Sequence, residues 1–314
     1  MALIVSGLTK RFGPKTAVDS LSFRMEQPGV YGLIGTNGAG KTTTIRMILD
    51  MLPADAGSAG WDGRPVAKAL RYGYMPEERG IYMKTKVLEQ LVYFGMLRGM
   101  GKAAALEAAK RWMQRLHVTE YESMLAEKLS KGNQQKIQLI STLIHEPQLL
   151  FLDEPFSGLD PLNTQQFHDL IQEMAQEGKY IILSSHQMST VEEYCREITL
   201  LHKGRAILQG NLKEIKSGYG HTKLVLSGPP SAYETAEAAG LPCTEKRPSE
   251  RVYALPEQGA DALCEHLLRS LLEKDIMPEK FELSQPALHE IFIKKVGLAE
   301  AMADTSALEG GAAA

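Results

Sequence analysis

Between an apolar run, Val30-Tyr31-Gly32-Leu33-Ile34, and a helical stretch from Lys41 to Leu52 lies the segment Gly35-Thr36-Asn37-Gly38-Ala39-Gly40-Lys41-Thr42-Thr43. No other feature of the chain restricts its fold as much. Glycines let the backbone wrap around an anion with successive N–H groups pointing inward, and a helix starting at Lys41 aims its positive end at the same point. Gly35-x4-Gly40-Lys41-Thr42 matches the phosphate-binding loop pattern in the strand–loop–helix setting that the pattern requires. In that setting Lys41 reaches the β- and γ-phosphates of a nucleotide, and the Thr42 hydroxyl serves Mg²⁺. A glycine-rich turn that binds nothing is the bland alternative, and the flanking strand and helix weigh against it.

Two further segments carry polar residues at strand ends. Leu149-Leu150-Phe151-Leu152 reads as a buried strand that delivers Asp153 and Glu154 at its carboxyl end. Asp153 is suited to hold Mg²⁺, directly or through water. Glu154 follows it, points elsewhere, and is suited to orient and deprotonate an attacking water. Tyr180-Ile181-Ile182-Leu183-Ser184-Ser185 is a third strand and ends at His186. A lone histidine after a strand is usually an ordinary polar residue. At the same sheet edge as Asp153, it becomes a candidate for γ-phosphate contact. In parallel sheets of this kind, ligands collect beyond the carboxyl ends of the strands.

The chain has 314 residues, enough for one large domain and a small one. From Leu3 to about Asn211 short apolar runs alternate with helical stretches, as a helix-covered parallel sheet requires. Thr85 to Met124 reads as almost wholly helical, interrupted at Gly99-Met100-Gly101, which is too much helix for a simple crossover; it predicts an inserted helical subdomain. A helix is expected from Gln134 to Ile144. After about Lys216 the pattern becomes strand 223–227, helix 231–239, strands 243–246 and 251–255, helix 259–274 and strand 280–283. That βαββαβ order fits a ferredoxin-like module, and 286–296 would add a closing helix. Leu263, Leu267 and Leu271 form a stripe that serves either the module's own core or a partner-binding face. The expected boundaries are a nucleotide-binding domain over 1–212 with its helical subdomain at about 85–145, a linker at 213–222, an accessory α+β domain at 223–296, and a flexible tail at 297–314.

Taken together, the segments resemble the ATP-binding subunits of ABC transporters over about residues 2–212. The resemblance implies an α/β fold, a P-loop NTPase ABC cassette with a helical subdomain, that binds ATP and Mg²⁺ and hydrolyses ATP. It implies that Phe12 stacks on adenine and that Gly35 to Thr43 cradle the phosphates. Leu129-Ser130-Lys131-Gly132-Asn133 resembles the family signature, whose serine and second glycine contact the nucleotide of the opposite subunit; this assigns Ser130 and Gly132 to a site in trans. Ser157-Gly158-Leu159-Asp160 resembles the D-loop, which crosses the dimer interface, and His186 the switch histidine. Two departures stand out. Lys131 and Asn133 occupy positions that are usually Gly and Gln; Lys131 either adds positive charge near the γ-phosphate or is simply exposed. Glu77 stands where the Q-loop carries Gln, so its carboxylate can ligate Mg²⁺ but repels a nearby phosphate more than an amide does. The wording of this loop and of the signature resembles an exporter subgroup that includes sodium- and drug-extrusion ATPases.

Composition narrows the function further. Apolar content of 44% and charged content of 23% are ordinary for a folded protein, and the net charge of −3 lacks the basic bias of a nucleic-acid binder. Cys195, Cys243 and Cys264 match no metal or redox spacing, which suits a reducing compartment. The first ten residues read as a strand, not a secretion signal, and no segment approaches the roughly 18 apolar residues of a membrane span. The expected protein is cytoplasmic and peripheral on the inner face of the membrane. It would pair head-to-tail with a second copy or a paralogous subunit, and drive substrate movement, in the export direction, through separate integral membrane permease subunits. The competing class is a soluble ABC-type ATPase acting on nucleic acid or ribosomes. Such proteins carry tandem cassettes or a long coiled-coil insertion, and this chain has neither.

Overall fold

The computed structural model describes residues 1–256 and 258–298. By packing, the chain divides into a first unit, Met1–Gln209, and a second beginning at Gly210.

The first unit opens with strands β1 (Leu3–Phe12) and β2 (Lys15–Met25), then β3 (Gly29–Gly35) and helix α1 (Lys41–Ile48). Next come β4 (Ala56–Trp61), α2 (Val66–Ala69), β5 (Tyr72–Met75), α3 (Val87–Leu97), α4 (Lys102–Arg115) and α5 (Lys131–Leu143). The unit is completed by β6 (Leu149–Asp153), α6 (Pro161–Gln176), β7 (Tyr180–Ser185), α7 (Met188–Tyr194), β8 (Glu197–His202) and β9 (Arg205–Asn211). Six strands form one sheet in the order β5-β6-β7-β3-β8-β9. The pairs β5/β6, β6/β7, β7/β3 and β3/β8 are parallel. Lys203 and Gly204, both at positive φ (48° and 82°), make the tight turn that folds β9 back beside β8. Strands β6 and β7 are buried along nearly their whole length, which is why they read as continuous apolar runs. A separate antiparallel sheet, β2-β1-β4, packs its Leu3, Val5, Leu8, Val18 and Leu21 into a core shared with Ile45 and Ile48 of α1 and with Phe151 and Ile182 of the parallel sheet. From the sequence only the β1 stretch had been expected as a strand.

Several expected elements shift. Helix α1 stops at Ile48 instead of Leu52, because Asp50 turns left-handed (φ 55°) and Pro53 disfavours helix in the residue before it. The stretch 85–124 is less helical than expected: α3 and α4 flank the anticipated glycine break, α4 ends before His117 (φ 53°), and only short 3-10 turns follow. Helix α5 begins three residues earlier than expected, so Lys131, Gly132 and Asn133 lie in its first turn.

In the second unit, α8 (Leu212–Gly218), capped by Asn211, occupies most of the stretch expected as a linker. Then follow β10 (Lys223–Ser227), α9 (Pro230–Ala238), β11 (Cys243–Lys246), β12 (Arg251–Ala254), α10 (Ala260–Glu273), β13 (Lys280–Ser284) and a helix over 288–298. The four strands form an antiparallel sheet in the order β11-β12-β10-β13. Ala232 and Ala236 of α9 and Leu267 and Leu271 of α10 join Leu224, Leu226 and Tyr253 in one core, and Leu263 packs against it. The leucine stripe therefore faces its own sheet. The expected tail, apart from Gly297 and Leu298, lies outside the described residues.

Candidate functional site

The loop between β3 and α1 is built by its glycines. Gly40 caps α1 in a left-handed conformation (φ 105°), and a Cβ there would sit 2.5 Å from the Ala17 carbonyl oxygen. Only glycine satisfies both conditions. Gly40→Val should therefore displace the loop and abolish nucleotide binding, measured by titration with a fluorescent ATP analogue, in a protein whose circular dichroism remains that of the wild type.

The loop lines a cleft of about 460 Å³ together with Phe12, Lys15, Ala17, Glu77 and Glu154. Phe12 is half exposed, as a ring available for stacking must be. Lys41 lies inside the cleft, 6% exposed, and donates to the carbonyls of Gly35 at 2.7 Å and Thr36 at 3.3 Å. Its ammonium is also 3.2 Å from Glu154 Oε1. That oxygen has a charge beside it but no donor aligned on it as a hydrogen bond. Glu154 Oε2 is held by His186 Nδ1 at 2.8 Å. Lysine, glutamate and histidine, which come from the ends of three different strands' connections, thus converge on one point.

Asp153 is fully buried beside them. Burial pushes its carboxyl above the ordinary carboxylate range, and hydroxyl contacts from Ser184 and Thr42 oppose the rise. Ser184 donates to its Oδ1, while Oδ2 is buried without a protein donor. A buried carboxylate oxygen left in this condition is costly unless a cation satisfies it. Among the described residues no group of three or more His, Cys, Asp or Glu side chains could cage a metal by protein alone. One carboxylate and one hydroxyl facing a phosphate loop is instead the donor set that suits Mg²⁺, which is typically held by few protein ligands plus substrate phosphate. Asp153 and Thr42 fit that cation; Glu77 lies on the exposed rim of the same cleft.

Eight expected site residues do not line the cleft: Gly35, Thr36, Ala39, Asp153 and His186 adjoin residues that do, whereas Ser130, Gly132 and Asp160 belong to other segments. Ser130 is exposed and caps α5, its Oγ accepting from Asn133 N at 3.3 Å. Gly132 is buried, and a Cβ there would come within 2.8 Å of Asn163 Nδ2, so its bareness also serves a close approach between the starts of α5 and α6. Asp160 caps α6, accepting from Asn163 N at 2.9 Å, and this bond keeps its carboxyl below the usual range. Helix α5 is tied to the site's surroundings by Gln135, which donates to the Pro155 carbonyl, and by Gln138, which donates to the carbonyls of Pro76 and Glu78 on either side of Glu77. Sequence reading missed these two glutamines, along with Lys15, Ala17 and Ser184. Only Ser184 carried a signal, as a hydroxyl in an otherwise apolar buried strand.

The comparisons agree with this geometry. The sequence profile of the ABC transporter family matches residues 18–157. The ABC transporter ATP-binding protein YhaQ of Bacillus subtilis (strain 168) is 41% identical over 309 residues, spanning 94% of this chain and 98% of its own length. The daunorubicin resistance ATP-binding protein DrrA3 of Streptomyces coeruleorubidus is 28% identical over 94% of this chain and 96% of its own. A solved ATP-binding subunit of an ABC transporter superposes with a TM-score of 0.64 at 28% identity, covering 70% of this chain and 94% of that one. No helix among the described residues is long and apolar enough to cross a membrane. With a phosphate loop and Glu154 lining one cleft, Asp153 next to Glu154 in sequence and His186 bonded to it, this chain belongs to the ATP-binding proteins of the ABC transporter family.

Proposed function

We propose that this protein is the ATP-hydrolysing subunit of an exporter, working as a head-to-tail pair whose closure on ATP and reopening after hydrolysis move separate membrane permease subunits. The observation that carries the reading is the convergence of Lys41, Glu154 and His186 beside the buried Asp153. In this scheme Lys41 grips the β- and γ-phosphates, and Glu154 Oε1, which has no donor on it, accepts a proton from the attacking water. His186 fixes that carboxylate through Nδ1 and presents its other ring nitrogen to the γ-phosphate. Phe12 stacks on adenine. A Mg²⁺ ion held by Asp153 and Thr42, with Glu77 at the rim, supplies charge neutralisation to the phosphates.

Ser130, Gly132 and Asp160 lie outside the cleft of their own chain, which supports a second copy as the group they serve. Ser130 starts a helix with no acidic residue in its first turn and with Lys131 at its first position, so this end favours an anion. Ser130→Arg should abolish ATP turnover while a single subunit still binds ATP. Loss of both together, in phosphate-release and nucleotide-titration assays, would count against a site in trans.

Export as the direction is supported by the resistance function named for the Streptomyces relative, and the peripheral cytoplasmic placement by the chemistry of the scheme, which needs cellular ATP. Residues 223–296 are read as a ferredoxin-like accessory domain. The antiparallel order β11-β12-β10-β13 with two helices on one face supports this reading.

A further inference from the structure

Ser184 is fully buried on β7, directly opposite Asp153 in the register of the parallel sheet. Its hydroxyl makes two bonds at once. The O–H donates to Asp153 Oδ1, and the same oxygen accepts the Glu154 backbone N–H at 3.1 Å. The Ser184 carbonyl oxygen shares that N–H at 3.2 Å. A hydroxyl has one hydrogen and two lone pairs, so donating to Asp153 leaves it free to accept from Glu154.

Both bonds act on groups that need them. Glu154 sits at φ 50°, a left-handed conformation that residues with side chains hold only when their surroundings impose it. Asp153 has one oxygen taken by Ser184 and the other, Oδ2, buried without a donor. The neighbouring Ser185 cannot substitute, because its hydroxyl accepts from Gln187 N at 3.0 Å.

We infer that Ser184 is the positioning residue of the site: it commits Asp153 Oδ1 to the protein, so that only Oδ2 is presented to a cation, and it anchors the turn that directs the Glu154 carboxylate to Lys41 and His186. Asp153 would then ligate through a single oxygen, and one buried hydroxyl would set metal ligand and base relative to each other. The inference rests on the proposed ATPase reading for the identity of the cation as a nucleotide-bound divalent ion.

The test compares Ser184→Thr with Ser184→Val in the full chain, two side chains of nearly the same shape that differ by the hydroxyl. Mn²⁺ binding in the presence of ATP is followed by electron paramagnetic resonance, ATP binding without metal by a fluorescent analogue in EDTA, and turnover by phosphate release. With Val, Mn²⁺ affinity and kcat should each fall about 10–100-fold, as they do when a group orienting a metal ligand is removed, while metal-free nucleotide binding stays at the wild-type level. With Thr, all three should stay close to wild type. Wild-type Mn²⁺ affinity in the Val variant, or equal loss in Thr and Val, would overturn the inference. Should Val lower the melting temperature, Ser184→Ala, which cannot overpack the site, is judged by the same criteria. A wild type that binds no Mn²⁺ with ATP would overturn the ATPase reading and this inference with it; a wild type that binds it beside an unimpaired Val variant overturns this inference alone.

Discussion

Replacing Glu154 by glutamine should leave a protein that still binds ATP, turns it over about 10²–10⁴-fold more slowly, and accumulates as a nucleotide-held dimer. The amide matches the carboxylate in size and can still pair with His186, so the pocket around Oε2 keeps its shape. What it loses is the ability to take a proton. It also removes a negative charge that lies 3.2 Å from Lys41 in the cleft lined by the phosphate loop, so ATP should be held at least as well as before. Phosphate release in single turnover and size-exclusion chromatography with saturating ATP read the two effects separately. Turnover within tenfold of wild type would remove Glu154 from the base role. A variant that stays monomeric with ATP bound would instead undercut the closing pair, leaving the base role standing.

The second large effect is expected at Lys41. Among the described residues, its ammonium is the one cationic side chain buried in the cleft at the loop, and its present partners are two loop carbonyls and Glu154. Lys41→Ala should weaken ATP binding by about 10²–10⁴-fold, since two charge-assisted contacts to phosphates are worth about 1.5–3 kcal/mol each. The folded protein should lose stability as well, because Glu154, 5% exposed, is left without its cation and only His186 remains beside it. Fluorescent-nucleotide titration and thermal melting measure the two losses. Near-wild-type affinity in a folded Lys41→Ala protein would mean that the loop's backbone N–H groups do the binding alone.

How much of this was legible beforehand depends on how local each signal is. The parallel core was readable because buried strands leave unbroken apolar runs, as at Leu149–Leu152 and Ile181–Leu183, and because glycine and lysine at fixed spacing demand a particular backbone. The antiparallel sheet β2-β1-β4 was largely missed: β4 shows no alternation of buried and exposed residues, β1 keeps it only at its start, and the β1/β2 pairing contains several register shifts that blur the period. The start of α5 falls three residues before the expected Gln134 and takes in Gly132. In the folded chain it is kept bare by Asn163, thirty-one positions later, a constraint no local window contains. Within the segment expected as a linker, 213–222, Asn211 caps a helix by accepting from Lys213 N and Glu214 N, a local hydrogen-bonding signal.

The residue pattern alone determined that this chain carries a phosphate loop, two acidic residues at one strand end and a histidine at another, because each is written in consecutive residues. Only the tertiary structure decided that a serine on β7 divides its hydroxyl between Asp153 and Glu154, that Lys41 and His186 take opposite oxygens of one carboxylate, and that Ser130, Gly132 and Asp160 do not line the cleft. Those relations join residues that are 30 to 113 positions apart or depend on which strands lie side by side, and strand order is fixed by the packing of the whole sheet rather than by any segment within it.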